Sequence, residues 1–255
     1  MVFTLVEEKQ RYEDKEMTLV EHLEELRKRI FIVVGALILF FIVGFIFVQD
    51  LYRWLIADLD VKLTILSPTD ILWVYVMLAG VFAITMTIPV FVWQLWMFVK
   101  PALTPRERKV TLSYIPATFL LFVLGLCFGY FVVLPMVFHF LMSLGEDLFA
   151  TMFTTEKYFR FILNMTIPFA ILFELPIIVM FLTSVGLINP YALQKVRKYA
   201  YFVLVIIAVT ITPPDFISDF LVTIPLLLLY EVSISISKFV YKRKEKQTEQ
   251  EASSE

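Results

Sequence analysis

Six apolar stretches make up most of this chain, and the basic residues between them lie overwhelmingly on one alternate set of connections. The stretches run over Ile30–Val48, Ile71–Val99, Val110–Pro135, Phe159–Val185, Tyr199–Thr212 and Phe216–Tyr230, with no long polar tract of the kind a water-soluble domain carries. In hydrocarbon every backbone N–H and C=O must be satisfied within the chain, so stretches like these are confined to helices. Eighteen of the 22 Lys and Arg residues precede the first stretch, follow the last, or sit in the second and fourth connections; the other four are Arg53, Lys62, Lys157 and Arg160. Cations concentrate on the cytoplasmic side of a membrane, which predicts both termini inside. The expected fold class is an all-α integral membrane protein with six transmembrane helices.

A chain that is 60% hydrophobic, with 26 Phe in 255 residues, cannot bury its apolar side chains in one soluble core, and a net charge of −2 gives no nucleic-acid signal. Residues 1–16 read as a charged, disordered extension, 17–240 as one membrane domain and 241–255 as a charged cytoplasmic tail. The first stretch is read as a retained span and not a cleaved signal peptide, because no small-x-small site follows it. Cys127 has no partner for an internal disulfide and is read as a small packing residue.

The second stretch would extend about 43 Å as a helix, beyond a hydrocarbon core of about 30 Å, and must tilt, kink at Pro89 or protrude. The fifth offers only about 21 Å. The fifth and sixth therefore read as short helices that either span a thinned bilayer or form a re-entrant hairpin around Thr212-Pro213-Pro214-Asp215. Prolines at 89, 116, 135, 168, 176 and 225 are expected to bend or break helices and shape a concave, Pro-bent bundle. With seven glycines in the chain, no tight glycine-lined crossing is expected to organise it.

Glu174, in Phe173-Glu174-Leu175-Pro176, is the deepest polar residue, and a carboxyl there is expected to face the bundle interior or a water-filled recess. The alternative is a carboxyl hydrogen-bonded to backbone freed by Pro168 or Pro176. Ahead of the first span, Thr18-Leu19-Val20-Glu21 fits a capping box, and Leu19, Leu23, Leu26 and Ile30 share a face. This helix is expected to lie on the cytoplasmic surface, with Glu24–Lys28 and Glu25–Arg29 at ion-pair spacing. In the connection from Lys100 to Lys109, Glu107 is a single carboxylate among four cations.

The series Glu21-His22-Leu23-Glu24-Glu25-Leu26-Arg27-Lys28-Arg29, Leu66-Ser67-Pro68-Thr69, Pro89 with Gln94-Leu95-Trp96, Pro101-Ala102-Leu103, the Glu107 loop, Tyr130 to Pro135, Phe173 to Pro176, Thr212 to Asp215, and Ile224-Pro225 with Tyr230-Glu231 resembles the TatC family. TatC proteins are multi-spanning receptors of the twin-arginine translocation system. The resemblance implies a signal-peptide receptor that forms the core of a translocase exporting folded proteins across the bacterial inner membrane, driven by the proton motive force and without enzymatic activity. It implies that Glu25 and Glu107 receive the paired arginines, with Arg27 in the same motif and Phe98 and Pro89 on the route of the peptide's apolar portion. Glu174 would be the polar group reached deep in the membrane. Pro213, Pro214, Asp215 and Glu231 fall in the region where single-span TatA- and TatB-type partners would dock, and a homo-oligomer is compatible. Asp219 stands where the resemblance leads one to expect an uncharged amide, and no cofactor or metal is implied.

A secondary transporter or channel using Glu174 as an ion or proton site is the alternative. Discontinuous helices and a midplane carboxyl suit it, but no internal repeat is evident and the polar inventory of the spans is thin. No HExxH, GxSxG or GxxxxGK[ST] motif points to an intramembrane enzyme or a nucleotide.

Overall fold

The computed structural model describes residues 19–57, 63–103, 108, 111–144, 152–212 and 216–252. Helix α1 (Leu19–Ile46) carries the charged run directly into the first apolar stretch. This corrects the expectation of a separate surface helix: no Gly or Pro occurs between Thr18 and Gly35, so nothing interrupts the helical ladder. Thr18 and the whole of the expected extension, residues 1–16, lie outside the described residues.

After α2 (Val48–Ile56), a two-residue parallel pairing of β1 (Leu63–Thr64) with β2 (Phe153–Thr154) ties two distant connections together. The Thr64 hydroxyl donates to Phe153 O at 3.0 Å and the Thr155 hydroxyl to Thr64 O at 3.2 Å. The Leu66-Ser67-Pro68-Thr69 motif is a helix start. Ser67 Oγ accepts from Thr69 N, Asp70 Oδ2 accepts from Ser67 N at 3.0 Å, and Pro68 takes the first helical position, where no donor is needed. Helix α3 (Pro68–Val99) follows; its 32 residues rise about 48 Å and carry Pro89 without a break.

The other prolines divide into two kinds. Pro168 and Pro225 lie within continuous helices. Pro135 follows a π turn, Gly129–Val133, between α4 (Tyr114–Phe128) and α5 (Leu134–Ser143), where Leu134 N bonds to Gly129 O. That wider turn absorbs the ring within an unbroken span. Pro176 ends one helix and starts another: α6 (Thr155–Leu172) stops, Phe173 and Glu174 form a turn, and α7 (Leu175–Val185) begins.

After the short α8 (Pro190–Lys195), α9 (Arg197–Ile211) has 15 residues, about 22 Å, less than a hydrocarbon core. The sixth apolar stretch is short, yet its helix α10 (Phe216–Ala252) is not. Three of its serines find partners within the helical ladder or across it: Ser233 and Ser235 donate to the carbonyls four residues back, and Ser237 pairs with Thr183 of α7 at 2.7 Å. Among the described residues, five helical segments are long and apolar enough to cross a membrane: Glu21–Ile46, Pro68–Val99, Tyr114–Ser143, Thr155–Val185 and Phe216–Lys242.

Helix α1 packs along α3, α4 on α6, and both α7 and α9 on α10, with α3 touching α4 and α6. Phe159, Met165 and Phe169 of α6 are buried at the centre with Val74, Leu226 and Ile234. Lipid is as apolar as these side chains, so close contact holds the bundle and burial from water does not. The expectation that glycine plays no organising part is corrected here. Gly125 and Gly129, four residues apart, face α6 so closely that an added Cβ would lie 2.7 Å from Ala170 Cα and from Thr166 Cα respectively. Cys127, between them, is exposed and does not pack as expected.

Candidate functional site

At the start of α1, three polar side chains meet across the α1–α3 seam. Arg29 Nη2 donates to Glu25 Oε1 at 2.9 Å, and Nη1 of the same guanidinium donates to Gln94 Oε1 at 2.9 Å. The Glu25 side chain is 18% exposed and that of Arg29 22%, so the pair is only partly screened by solvent. Glu25 Oε2 is shielded and has no hydrogen-bond partner among the described residues. One turn earlier, the His22 ring stacks on Phe98 with centroids 4.2 Å apart. The helical period places His22, Glu25 and Arg29 on the side of α1 that meets α3, whereas Arg27 is exposed.

This cluster borders the smaller of two apolar grooves, which share Phe91 and Leu95 of α3 as a common wall. The smaller, about 210 Å³, is lined by Leu26, Arg29, Ile30 and Val33 from α1 and by Gln94 and Phe98. The larger, about 380 Å³, runs between α3, α4 and α7, with Ile88, Trp96, Tyr114, Ile177 and Phe181 among its walls and Glu174 bordering it. Glu174 Oε1 is shielded and unpartnered among the described residues, so the expected alternative of a carboxyl anchored to freed backbone is not what the fold shows. The larger groove is braced by two hydrogen bonds. Trp96 Nε1 donates to Thr111 Oγ1 at 2.9 Å, and the hydroxyls of Tyr114 and Ser184 pair at 2.9 Å.

Phe98 lines the smaller groove; Pro89 lines neither. Glu107 and the Pro213-Pro214-Asp215 turn lie outside the described residues. Arg108, beside Glu107, donates Nε to Lys100 O and Leu103 O, both at 2.9 Å, so this cation is spent on carbonyls at the end of α3. Glu231 is separated from the turn with which it was grouped. It pairs with Arg197 Nη2 at 2.8 Å and accepts from the Tyr201 hydroxyl, at the start of α9, about 18 Å along α10 from Asp219. Asp219 itself accepts from the Thr212 hydroxyl and joins the end of α9 to the first turn of α10.

A family model of the Sec-independent protein translocase protein (TatC) matches residues 21–225. The chain belongs to the TatC family. It is 58% identical over 230 residues to the Sec-independent protein translocase protein TatCd of Bacillus subtilis (strain 168), covering 90% of this chain and 95% of that one. The TatCy protein of the same organism is 46% identical over 235 residues, 91% of this chain and 92% of that one. A crystal structure of the twin arginine translocase receptor TatC superposes with a TM-score of 0.76 at 33% identity, covering 86% of this chain and 99% of that one. As a TatC family member the chain is a membrane-embedded translocase component with a transport role.

Gln94 and Arg29 are the members of this TatC site that sequence reasoning did not single out. Gln94 was visible only as part of a Gln-Leu-Trp tripeptide, and Arg29 as one rung of a solvated ion-pair ladder. The missing signal is the contact between residues 65 apart in the chain.

Proposed function

We propose that this chain is a twin-arginine signal-peptide receptor, with its peptide-binding end at the start of α1 in the cytoplasm of a bacterial cell and its body in the inner membrane. The observation that carries the reading is Glu25: a partly buried carboxylate with one unpartnered oxygen beside an apolar groove. A guanidinium offers two N–H groups in a planar fork that matches a carboxylate, whereas an ammonium offers a point charge and a tighter hydration shell. Glu25 takes one arginine and Glu107, on the connection after α3, takes the other. A peptide that lacked its cations would leave both carboxylates without a counter-charge, so the pair both attracts and discriminates.

The apolar portion of the signal peptide follows the grooves on either side of Phe91 and Leu95 toward Glu174. Other Tat subunits of the single-span TatA and TatB types dock elsewhere on the helices and form the passage, and transport of folded cargo draws on the proton motive force. Labelled Arg-Arg peptide is expected to bind the purified full chain at least about tenfold more tightly than its Lys-Lys form, a difference of about 1.4 kcal/mol, and Glu107→Ala should narrow that ratio. Equal binding of the two peptides to folded protein would overturn the reading and favour an ion-coupled transporter.

Glu174 supplies a second test. A polar group at this depth lowers the cost of admitting water or peptide backbone beside the Phe173-Glu174 turn. Glu174→Gln keeps that polarity and should hold export within about threefold of wild type, while Glu174→Leu should lower it by about tenfold or more. Equal export by all three proteins removes Glu174 from the route.

A further inference from the structure

The guanidinium of Arg29 links two helices through one side chain, with one nitrogen on Glu25 Oε1 and the other on Gln94 Oε1. An exposed Glu–Arg pair four residues apart on a helix contributes little and leaves both side chains free to move. Here the geometry is different. Gln94 anchors Arg29 to α3, and Arg29 in turn fixes which way the Glu25 carboxylate faces. The result is an asymmetric carboxylate: Oε1 already holds a donor, and Oε2 is shielded from water with no donor among the described residues. A carboxylate oxygen kept from water without a partner is destabilised, so a donor brought by a ligand is gained without first stripping a bound water.

We infer that Arg29 and Gln94 are positioning residues that orient Glu25 and leave Oε2 as the unsatisfied acceptor, which an incoming guanidinium engages as the side chains enclosing it give way. This rests on Glu25 being an arginine receptor, as proposed above. Arg29 does not compete for the ligand's place; it occupies the opposite oxygen and makes the remaining one directional. The device explains why a basic residue stands one turn from a carboxylate that must attract cations. Without Gln94 the guanidinium would swing with α1 alone, and Glu25 would lose its fixed bearing on the seam and on the groove that Gln94 and Phe98 line.

The test is peptide binding to the purified full-length protein carrying Gln94→Leu, Gln94→Glu or Arg29→Ala, each measured with Arg-Arg and Lys-Lys peptides alongside the thermal unfolding midpoint. Gln94→Leu and Arg29→Ala should weaken Arg-Arg binding by about tenfold and narrow the Arg-Arg to Lys-Lys ratio, with the midpoint close to wild type. Gln94→Glu retains an acceptor for Arg29 and should restore both affinity and ratio, an outcome that a purely structural role for Gln94 does not require. Unchanged or tighter Arg-Arg binding by Gln94→Leu and Arg29→Ala, while wild type still discriminates, overturns the positioning role and leaves the receptor reading standing. Failure of wild type to discriminate overturns the receptor reading itself.

Discussion

Glu25→Ala is expected to abolish measurable preference for an Arg-Arg signal peptide and to weaken its binding by about 30-fold or more. Truncating one member of a partly buried charged hydrogen-bond pair costs about 2–5 kcal/mol, much of it from leaving the other charge without its partner. The partner left behind is Arg29, which would retain Gln94 alone and place an uncompensated cation where the ligand's cation must arrive. The loss should therefore exceed what removal of one attractive contact would give. Glu25→Gln separates the contributions. It keeps the acceptor oxygen and the length of the side chain but not the charge, and is expected to fall between wild type and Ala. Binding isotherms with both peptides at two salt concentrations check this, since an electrostatic contribution from a site this close to the surface weakens with ionic strength. Wild-type affinity and selectivity in Glu25→Ala would remove α1 from the recognition site.

Substitutions at the α4–α6 crossing should act on folding and not on recognition. At Gly125 a Cβ would lie 2.7 Å from Ala170 Cα, 2.9 Å from Phe169 O and 2.9 Å from Phe173 Cβ; at Gly129 it would lie 2.7 Å from Thr166 Cα and 3.1 Å from Met165 O. Most of these neighbours are backbone atoms of α6, which cannot turn aside as a side-chain tip does. The helices must separate, and overpacking of this kind costs about 1–3 kcal/mol for each added methyl group. Gly125→Ala with Gly129→Ala together should lower the unfolding midpoint of the detergent-purified protein sharply, and Gly125→Leu should prevent recovery of monodisperse protein. Gly35 and Gly80 provide the contrast. Both lie in helices with nothing within 4 Å of an added Cβ, and Ala is the better helix former by about 1 kcal/mol, so Gly35→Ala and Gly80→Ala should be neutral or stabilising. A double alanine variant at the crossing as stable as wild type would show that the contact is not rigid.

The crossing also carries the turn at Phe173-Glu174. A Cβ at Gly125 would meet Phe173 Cβ and Phe169 O, and Phe128 packs its ring on both Phe169 and Phe173. Glu174 is thus held beside the larger groove by a close helix contact on one side and by the Pro176 break on the other. Widening that contact would shift the carboxyl as well as loosen the bundle, so the Glu174 variants are best made in an otherwise unaltered protein.

Much of this architecture follows from one-dimensional features. The apolar stretches, the alternation of basic connections and the Pro176 break are local, because hydrocarbon enforces helices and a missing backbone donor acts within one turn. The Ser67-Pro68-Thr69-Asp70 helix start is equally local once its hydrogen bonds are seen. Family membership was legible because the motifs that carry it are short, ordered and spread along the chain. Glu25 was legible as a motif residue, but its environment was not.

Packing decided the remainder. The absence of Gly and Pro lets the charged amino-terminal segment run into the first span, but that the joined helix packs along α3 is set by tertiary contact. Glu231 and Asp219 are 12 residues apart on one helix, and only the placement of α9 beside α10 assigns Arg197 to one and Thr212 to the other. Gly125 and Gly129 form a Gly-x-x-x-Gly pair that is visible in the third apolar stretch, and the structure shows that α6 is the helix it admits. Arg29 reads in one dimension as a surface ion pair; its bond to Gln94, 65 residues away, turns it into part of a site. The chain by itself determined which segments enter the membrane and which carry charge, since transfer between water and hydrocarbon is a property of each segment. Only the tertiary structure decided which of those charges face one another, because a hydrogen bond of about 3 Å depends on how two helices are set side by side.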